Sequence, residues 1–174
     1  MTMQILQAPA AEPVSVAELR AWLRLVQATE DAQLLSCIRA ARQLVEDETG
    51  RALVTRRGRE TRDGWVRDGR IRLGLAPVTA IVTVRAATNG VWRDIPLPSS
   101  FDADGGAIAF AAPLSASVTL SIDYEAGYGG PEAAPPALRH AVLVVASVLF
   151  NGRGNEGLGD WARTLAGAFR RPRL

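Results

Sequence analysis

The chain has 174 residues, 48% of them apolar and 22% charged, with a formal net charge of +2. A chain of this length buries roughly 70% of its unfolded surface as one domain, or one with an insertion, and needs no staples to fold. The single cysteine, Cys37, excludes an internal disulfide, and so small a net charge excludes a nucleic-acid polycation.

The opening "MTMQILQAPAAEP" lacks the basic start and long apolar run of a secretion signal. The longest apolar run, residues 141–150 broken by Ser147, falls short of the ~20 residues of a membrane span. All twenty basic residues are arginine and none is lysine. With the abundant Ala and Gly, that skew points to a bacterial or phage gene from a GC-rich host.

The first predicted element lies in "EPVSVAELRAWLRL". Ser15 and Glu18 have the spacing of a capping box. Val16, Leu19, Leu23 and Val26, with Trp22, mark one apolar face of a short helix over 15–26. The second helix, 30–49, starts at Thr29 or Asp31 and stops at Gly50. Leu34, Cys37, Ile38, Ala41, Leu44 and Val45 form its apolar stripe.

From Leu53 the period shifts to two. "LVTRRGRETRDGW" predicts a polar, edge-like strand. "IRLGLAPVTAIVTVRA" places Val78, Ala80, Val82 and Val84 opposite Thr79, Thr83 and Arg85. "TNG" supplies an Asn-Gly hairpin turn, "VWRDIPL" returns, and "DADGGAIAF" gives a turn and a short strand. In "SVTLSIDYEAG", Val118, Leu120, Ile122 and Tyr124 alternate with Thr119, Ser121, Asp123 and Glu125, predicting one buried and one wet face. A third helix over 136–151 starts at Pro136. "NGRGNEGLG" reads as a linker, and "DWARTLAGAFRRPRL" as a short helix with a basic tail.

The expected fold is therefore α+β: a small helical bundle of two N-terminal helices and a late one, with an inserted antiparallel β-rich segment. The helical core takes 1–52 and 127–151, the β-rich segment 53–126, and the linker with a C-terminal helical tail 152–174.

Catalytic and ligand signals are weak. "EAGYGGPEAAPP" has neither the Lys-Ser/Thr of a Walker loop nor dinucleotide-type glycine spacing, so it reads as a turn. His140, the only histidine, shares a helix face with Ser147 but has no placed partners, which favours a structural or interface role. A small hydrolase built on His140 therefore lacks support. Cys37 on an apolar stripe is an inert thiol. "FDADGG" fails the EF-hand spacing, because Ala107 and Pro113 stand where glycine and glutamate are needed. No catalytic, cofactor or metal residue is assigned.

Three features suggest partners. Arg56, Arg57, Arg59 and Arg62 form a basic run, either a solubilising edge or a phosphate-binding surface of a nucleic-acid accessory protein. Trp161, Leu165 and Phe169 recur every four residues, followed by Arg170, Arg171 and Arg173, the pattern of a terminal helix that docks either on its own domain or, slightly favoured, on a neighbour or partner. Removing 158–174 is then expected to leave a folded domain. The 136–151 helix is apolar nearly all round and needs cover, most easily from another subunit.

The ordered phrases "EPVSVAELRAWLRL", "DAQLLSCIRAARQLVEDETGRAL", "IRLGLAPVTAIVTV", "IDYEAGYGG" and "PPALRHAVLVVASVLFNGR" resemble the head-tail connector (adaptor) proteins of long-tailed phages and phage-like gene transfer agents. The ending "LAGAFRRPRL" is similar too. The glycine linker at 152–159 and the alanine-rich turn at 107–112 depart from the pattern. The resemblance implies a non-enzymatic homo-oligomeric ring, typically a dodecamer, beneath a portal protein. Such a ring continues the DNA channel without sequence-specific DNA binding and receives the next neck or tail protein, with no membrane involved. It implies assembly in the bacterial cytoplasm and a place in the particle neck. Ring contacts would fall on the helices, with Leu34, Ile38, Val45, Leu143, Val144, Leu149 and Phe150 as candidates. Trp161, Leu165, Phe169, Arg170, Arg171 and Arg173 would dock.

Overall fold

The computed structural model describes residues 2–26, 30–63, 70–111, 118–152 and 160–170. The chain folds as α+β and divides into two compact units. One holds residues 1–9 and 55–127, the other 10–54 and 128–174.

The helical unit is built from α1 (Val16–Leu23), α2 (Asp31–Thr49), α3 (Pro136–Phe150) and α4 (Asp160–Gly167), with a 3-10 turn at Pro131–Ala133 before α3. The capping box forms as its residues require. Glu18 N–H donates to Ser15 Oγ at 3.1 Å, and Ser15 N–H donates to Glu18 Oε2 at 2.7 Å. Arg24 then ends α1 in the left-handed region at φ 57°. That stop is earlier than the 15–26 expectation and leaves Val26 outside the helix. Leu19 is the buried residue of α1, while Trp22 and Val26, expected on the apolar face, are exposed.

Gly50 closes α2 at φ 67°, donating its N–H to Glu46 O at 2.8 Å. This conformation suits a residue without Cβ. Thr29, the other candidate start, lies outside the described residues. The core of the unit joins Leu34, Ile38, Ala41 and Val45 of α2 to Leu138, Ala141, Val142 and Val145 of α3, closed by Leu19 and Leu53.

The other unit carries a five-stranded antiparallel sheet in the order β1-β2-β8-β4-β5. Its strands are β1 (Thr2–Gln7), β2 (Arg56–Asp63), β4 (Val78–Thr88), β5 (Val91–Asp94) and β8 (Thr119–Ala126). A smaller sheet, β3-β7-β6, joins Arg70–Arg72, Ala107–Ala109 and Ser100–Asp102. The hairpin turn forms where Asn-Gly predicts it. Thr88 pairs with Val91, with Asn89 at φ 52° and Gly90 at φ 79°, the backbone a two-residue primed turn needs.

Three strand expectations change. β2 is not an edge, because β1 pairs along its outer side. β8, as the central strand, has no wet face through its middle, and Ser121 and Asp123 are buried beside Leu120, Ile122 and Tyr124. β4 does not alternate strictly. Its register against β8 shifts between Val78 and Ala80 and again between Ile81 and Thr83, so Ile81 and Val82 are both half-buried.

Candidate assembly surfaces

The expected basic run folds inward onto acids. Arg59 grips Asp123 with two bonds, Nε to Oδ1 at 2.6 Å and Nη2 to Oδ2 at 2.8 Å. The two residues face each other across β2 and β8. Arg57 adds a contact to Asp123 at 3.6 Å, Arg62 Nη1 lies 3.9 Å from the buried Glu60, and Arg56 is itself buried. Arg57 and Arg59 are therefore tied across the strands to Asp123, while Arg62 lies beside Glu60 of its own strand, so the run is not a row of uncompensated charges.

Hydrogen bonds from Arg59 hold the Asp123 carboxyl below the usual carboxylate range, outweighing burial, with help from the charge of Arg57 and the Thr83 hydroxyl. A carboxylate depressed in the folded state contributes stability that is complete above its unfolded pKa of ~3.9. That contribution is lost as pH falls through the folded value. Urea unfolding of the wild type between pH 6 and pH 2.5 is thus expected to weaken below about pH 4. Asp123→Asn should be less stable at neutral pH, and its stability should fall less on acidification. Parallel pH profiles for the two proteins would remove Asp123 from this role.

The helical unit shows a second charged bracket. Arg139 Nε donates to Pro13 O at 2.8 Å, Nη2 to Glu18 Oε1 at 2.7 Å and Nη1 to Glu132 Oε2 at 2.7 Å. It ties the segment before α1, the capping box and the 3-10 turn to α3. Partial burial pushes the Glu18 carboxyl up, but the Ser15 hydrogen bonds and Arg139 more than reverse this, and it sits below its ordinary value. A groove of about 360 Å³ lies beside the bracket, lined by Pro13, Val14, Val16, Leu35, Pro131 and Glu132 among others.

His140 is exposed and stands nearly perpendicular to the Trp22 ring, with ring centroids 5.4 Å apart. The Cys37 thiol is half-buried, and that burial pushes its pKa up. "FDADGG" is the turn between β6 and β7, with Asp102 Oδ1 accepting from Asp104 N–H at 3.1 Å. Among the described residues, no three His, Cys, Asp or Glu side chains gather to hold a metal, and no helix is long and apolar enough to cross a membrane.

The expected assembly residues separate by burial. Leu34, Ile38 and Val45 are 0% exposed inside the unit's own core, so they present no surface to another subunit. Val144 is nearly covered, while Leu143, Leu149 and Phe150 are half-buried at the margin of that core. The cover that α3 demands therefore comes largely from its own unit, where it packs on α1, α2 and α4. Exposed apolar side chains lie elsewhere. Ile5 and Leu6 lie on β1, Trp22 and Val26 at and just beyond the end of α1, and Val91, Trp92, Leu97 and Phe101 follow one another in sequence through β5 to β6. No strong sequence signal marked the last group, whose residues lack helical or strand periodicity.

The tail also turns back on its own unit. Ala166 of α4 is fully buried in the helical core, and Phe169 packs against that core. Arg51 Nε donates to Phe169 O at 3.1 Å, and Arg170 pairs with Glu48. Trp161 and Leu165 lie on α4, with side chains outside the described residues, as are Arg171 and Arg173. Deleting 158–174 is now expected to lower the urea midpoint measurably, because it uncovers α2 and α3. An unchanged midpoint would mean that α4 lends the core nothing.

No protein-family model matches the chain, and no curated protein does. Solved structures do. Among them are the neck of an empty gene transfer agent particle computed with C6 symmetry (TM-score 0.83), the virion of a native gene transfer agent particle (0.83) and the neck of the native particle computed with C12 symmetry (0.82). In each, identity is 27%, and the match covers 100% of this chain and 97% of the other. The chain is similar to a gene transfer agent neck protein. The likeness takes in both units and the tail, and it supports a structural component of a phage-like particle neck.

Proposed function

We propose that the chain is a head-tail connector, or adaptor. Copies assemble as a ring under a portal protein, extend the DNA channel and receive the next neck or tail protein. The full-length likeness to the neck component carries this reading, since both chains match almost end to end. The neighbours' C6 and C12 necks support a dodecamer, because six-fold symmetry is contained in twelve-fold. Half-buried Leu143, Leu149 and Phe150, with exposed Trp22, are the ring-contact candidates. Arg171 and Arg173, with Trp161 and Leu165 on α4, are the candidates for the portal.

The competing reading is a nucleic-acid accessory protein using Arg56, Arg57, Arg59 and Arg62. The pairs that Arg57 and Arg59 make with Asp123 count against it. In the proposed ring, DNA passes through the lumen without base-specific contacts.

Mass photometry and negative-stain imaging of the purified chain, alone and with portal, test the connector. Rings of twelve copies, free or on the portal, are expected. A chain that stays monomeric and never binds portal, yet binds DNA tightly with a steep salt dependence, would reverse the two readings.

A further inference from the structure

The five-stranded sheet ends on two open edges. Among the described residues, no strand pairs along the outer side of β1. The other edge is the stretch from β5 to β6, which follows the outer side of β4. β5 pairs with β4 at Arg85–Thr88. Further along, Ile95 N–H donates to Val84 O at 3.0 Å, and Val78 N–H donates to Ala103 O at 2.7 Å. Both edges carry exposed apolar side chains, Ile5 and Leu6 on one, Val91, Trp92, Leu97 and Phe101 on the other. Four strand spacings, about 19 Å, separate β1 from β5.

β1 lacks the usual guards of an open edge. Its "TMQILQ" has no charge and no proline, so nothing in it discourages contact with another chain. The two edges also differ in charge. Gln4, Arg59 and Asp123 line up across the strands, and Ser121, two residues from Asp123, lines up with Arg85 and Asp94, so all lie on one face of the sheet. On that face the first charges behind β1 are Arg57 and Arg59, two guanidiniums on the one Asp123 carboxylate, with side chains still 36% and 38% exposed. Asp63, at the far end of β2, accepts from the Thr119 hydroxyl. The outermost charge of the opposite edge on this face is Asp94, 86% exposed and 3.4 Å from Arg85. Arg93 lies on the other face.

We propose that, in the assembled ring, the β1 edge of each copy packs against the β5–β6 edge of the next. This rests on the ring reading above and adds a contact outside the helical candidates. A cyclic ring relates neighbours by rotation alone, so each copy meets the next through two different surfaces. The two edges are such a pair. They stand at opposite limits of one sheet, both are apolar, and the charges at their rims have opposite sign. Ile5 and Leu6 are covered by the group that contains Trp92, the residue type most often dominant at interfaces. Arg57 and Arg59 facing Asp94 fix the order of the contact. A β1 edge against a second β1 edge would set arginines against arginines and close after two copies.

Crosslinking tests this. In a Cys37→Ser background, Gln4→Cys and Arg93→Cys place one thiol on each edge, both at exposed positions. Rings of the double variant, formed alone or on the portal, are treated with a bismaleimide too short to span the sheet and run under denaturing conditions. A ladder of covalent oligomers is expected, with each single variant staying monomeric. Asp94→Arg should raise the concentration for half-assembly about tenfold or more, since a like charge then faces Arg57 and Arg59, and should leave the urea midpoint unchanged. Rings that form without a ladder overturn the contact and leave the ring reading intact. Dimers from either single variant do the same, because an edge then meets its own kind. Assembly as efficient in Asp94→Arg as in the wild type also overturns it. A wild-type chain that never forms rings, alone or with portal, overturns both readings. If the double variant does not fold, mixed rings of the two single variants, one lengthened by a tag, replace it, with a heterodimer band as the expected result.

Discussion

Replacing Glu46 with alanine is expected to destabilise the helical unit by about 3–5 kcal/mol, the range for removing one partner of a buried ion pair. Glu46 is only 3% exposed and holds two groups at once. Its Oε2 accepts from Arg42 Nη1 at 2.7 Å, and its Oε1 accepts from the buried Leu53 N–H at 2.9 Å. Arg42 in turn reaches Glu12 through Nε at 2.7 Å. Burial works against the charge of Arg42, but Glu46 and Glu12 overcome it and raise its pKa. Alanine would strand a backbone donor and leave the guanidinium with half its counter-charge. The measurement is the urea midpoint, with an unchanged m-value to show that the folded state is still reached. Glu46→Gln should lose less, because an amide oxygen still accepts from Leu53 N–H. Arg42→Met combined with Glu46→Leu should recover part of the loss, as apolar replacement of a whole buried pair often does. Wild-type stability in Glu46→Ala would show that the network carries no net weight.

That network shows where the sequence is readable and where it is not. Signals confined to a few neighbouring residues were legible. The Ser15–Glu18 box, the Gly50 stop, the Asn89-Gly90 turn and the α3 start at Pro136 all form where local stereochemistry puts them. Properties that depend on a distant strand were not. "TMQILQ" has no clean alternation, and it becomes a strand only through pairing with β2, some fifty residues on. Because β1 was invisible, β2 read as an edge. Asp123 and Ser121 read as solvent-facing, since nothing local says that Arg59, 64 positions away, neutralises the carboxylate.

The assembly residues divide in the same way. An apolar stripe identifies residues that must be covered, but not what covers them. Leu34, Ile38 and Val45 of α2 and most of α3 are covered within the chain. The spacing of Trp161, Leu165 and Phe169 asks for a surface to cover it, yet periodicity is blind to the identity of the dock, and Phe169 finds it on its own unit. Trp22 illustrates the opposite error. Its helical spacing suggested a core face, yet Leu19 is the buried residue of α1 and Trp22 lies exposed against the His140 ring.

In the β unit, Tyr124→Ala should have the largest effect, a loss of about 3–5 kcal/mol typical of emptying a buried aromatic site. Tyr124 lies on the central strand and is completely buried. Its hydroxyl accepts from Leu75 N–H at 3.2 Å and faces Met3 Sδ at 3.7 Å. Met3 belongs to β1, and its methyl lies against Gly58 of β2, where a Cβ would collide with it. The ring thus supports the strand that the sequence did not reveal. Tyr124→Phe separates the two contributions. It keeps the volume and removes the hydroxyl, which strands the Leu75 N–H and takes the donor from Met3 Sδ, a loss of about 1–3 kcal/mol. Amide exchange gives the spatial readout. In Tyr124→Ala, protection should fall first along β1 and β2, because Met3 loses the surface it rests on. Equal losses in the two variants would assign the effect to the hydroxyl alone, and undisturbed β1 amides in Tyr124→Ala would show that β1 is held by its ladder to β2 without help from the core beneath it.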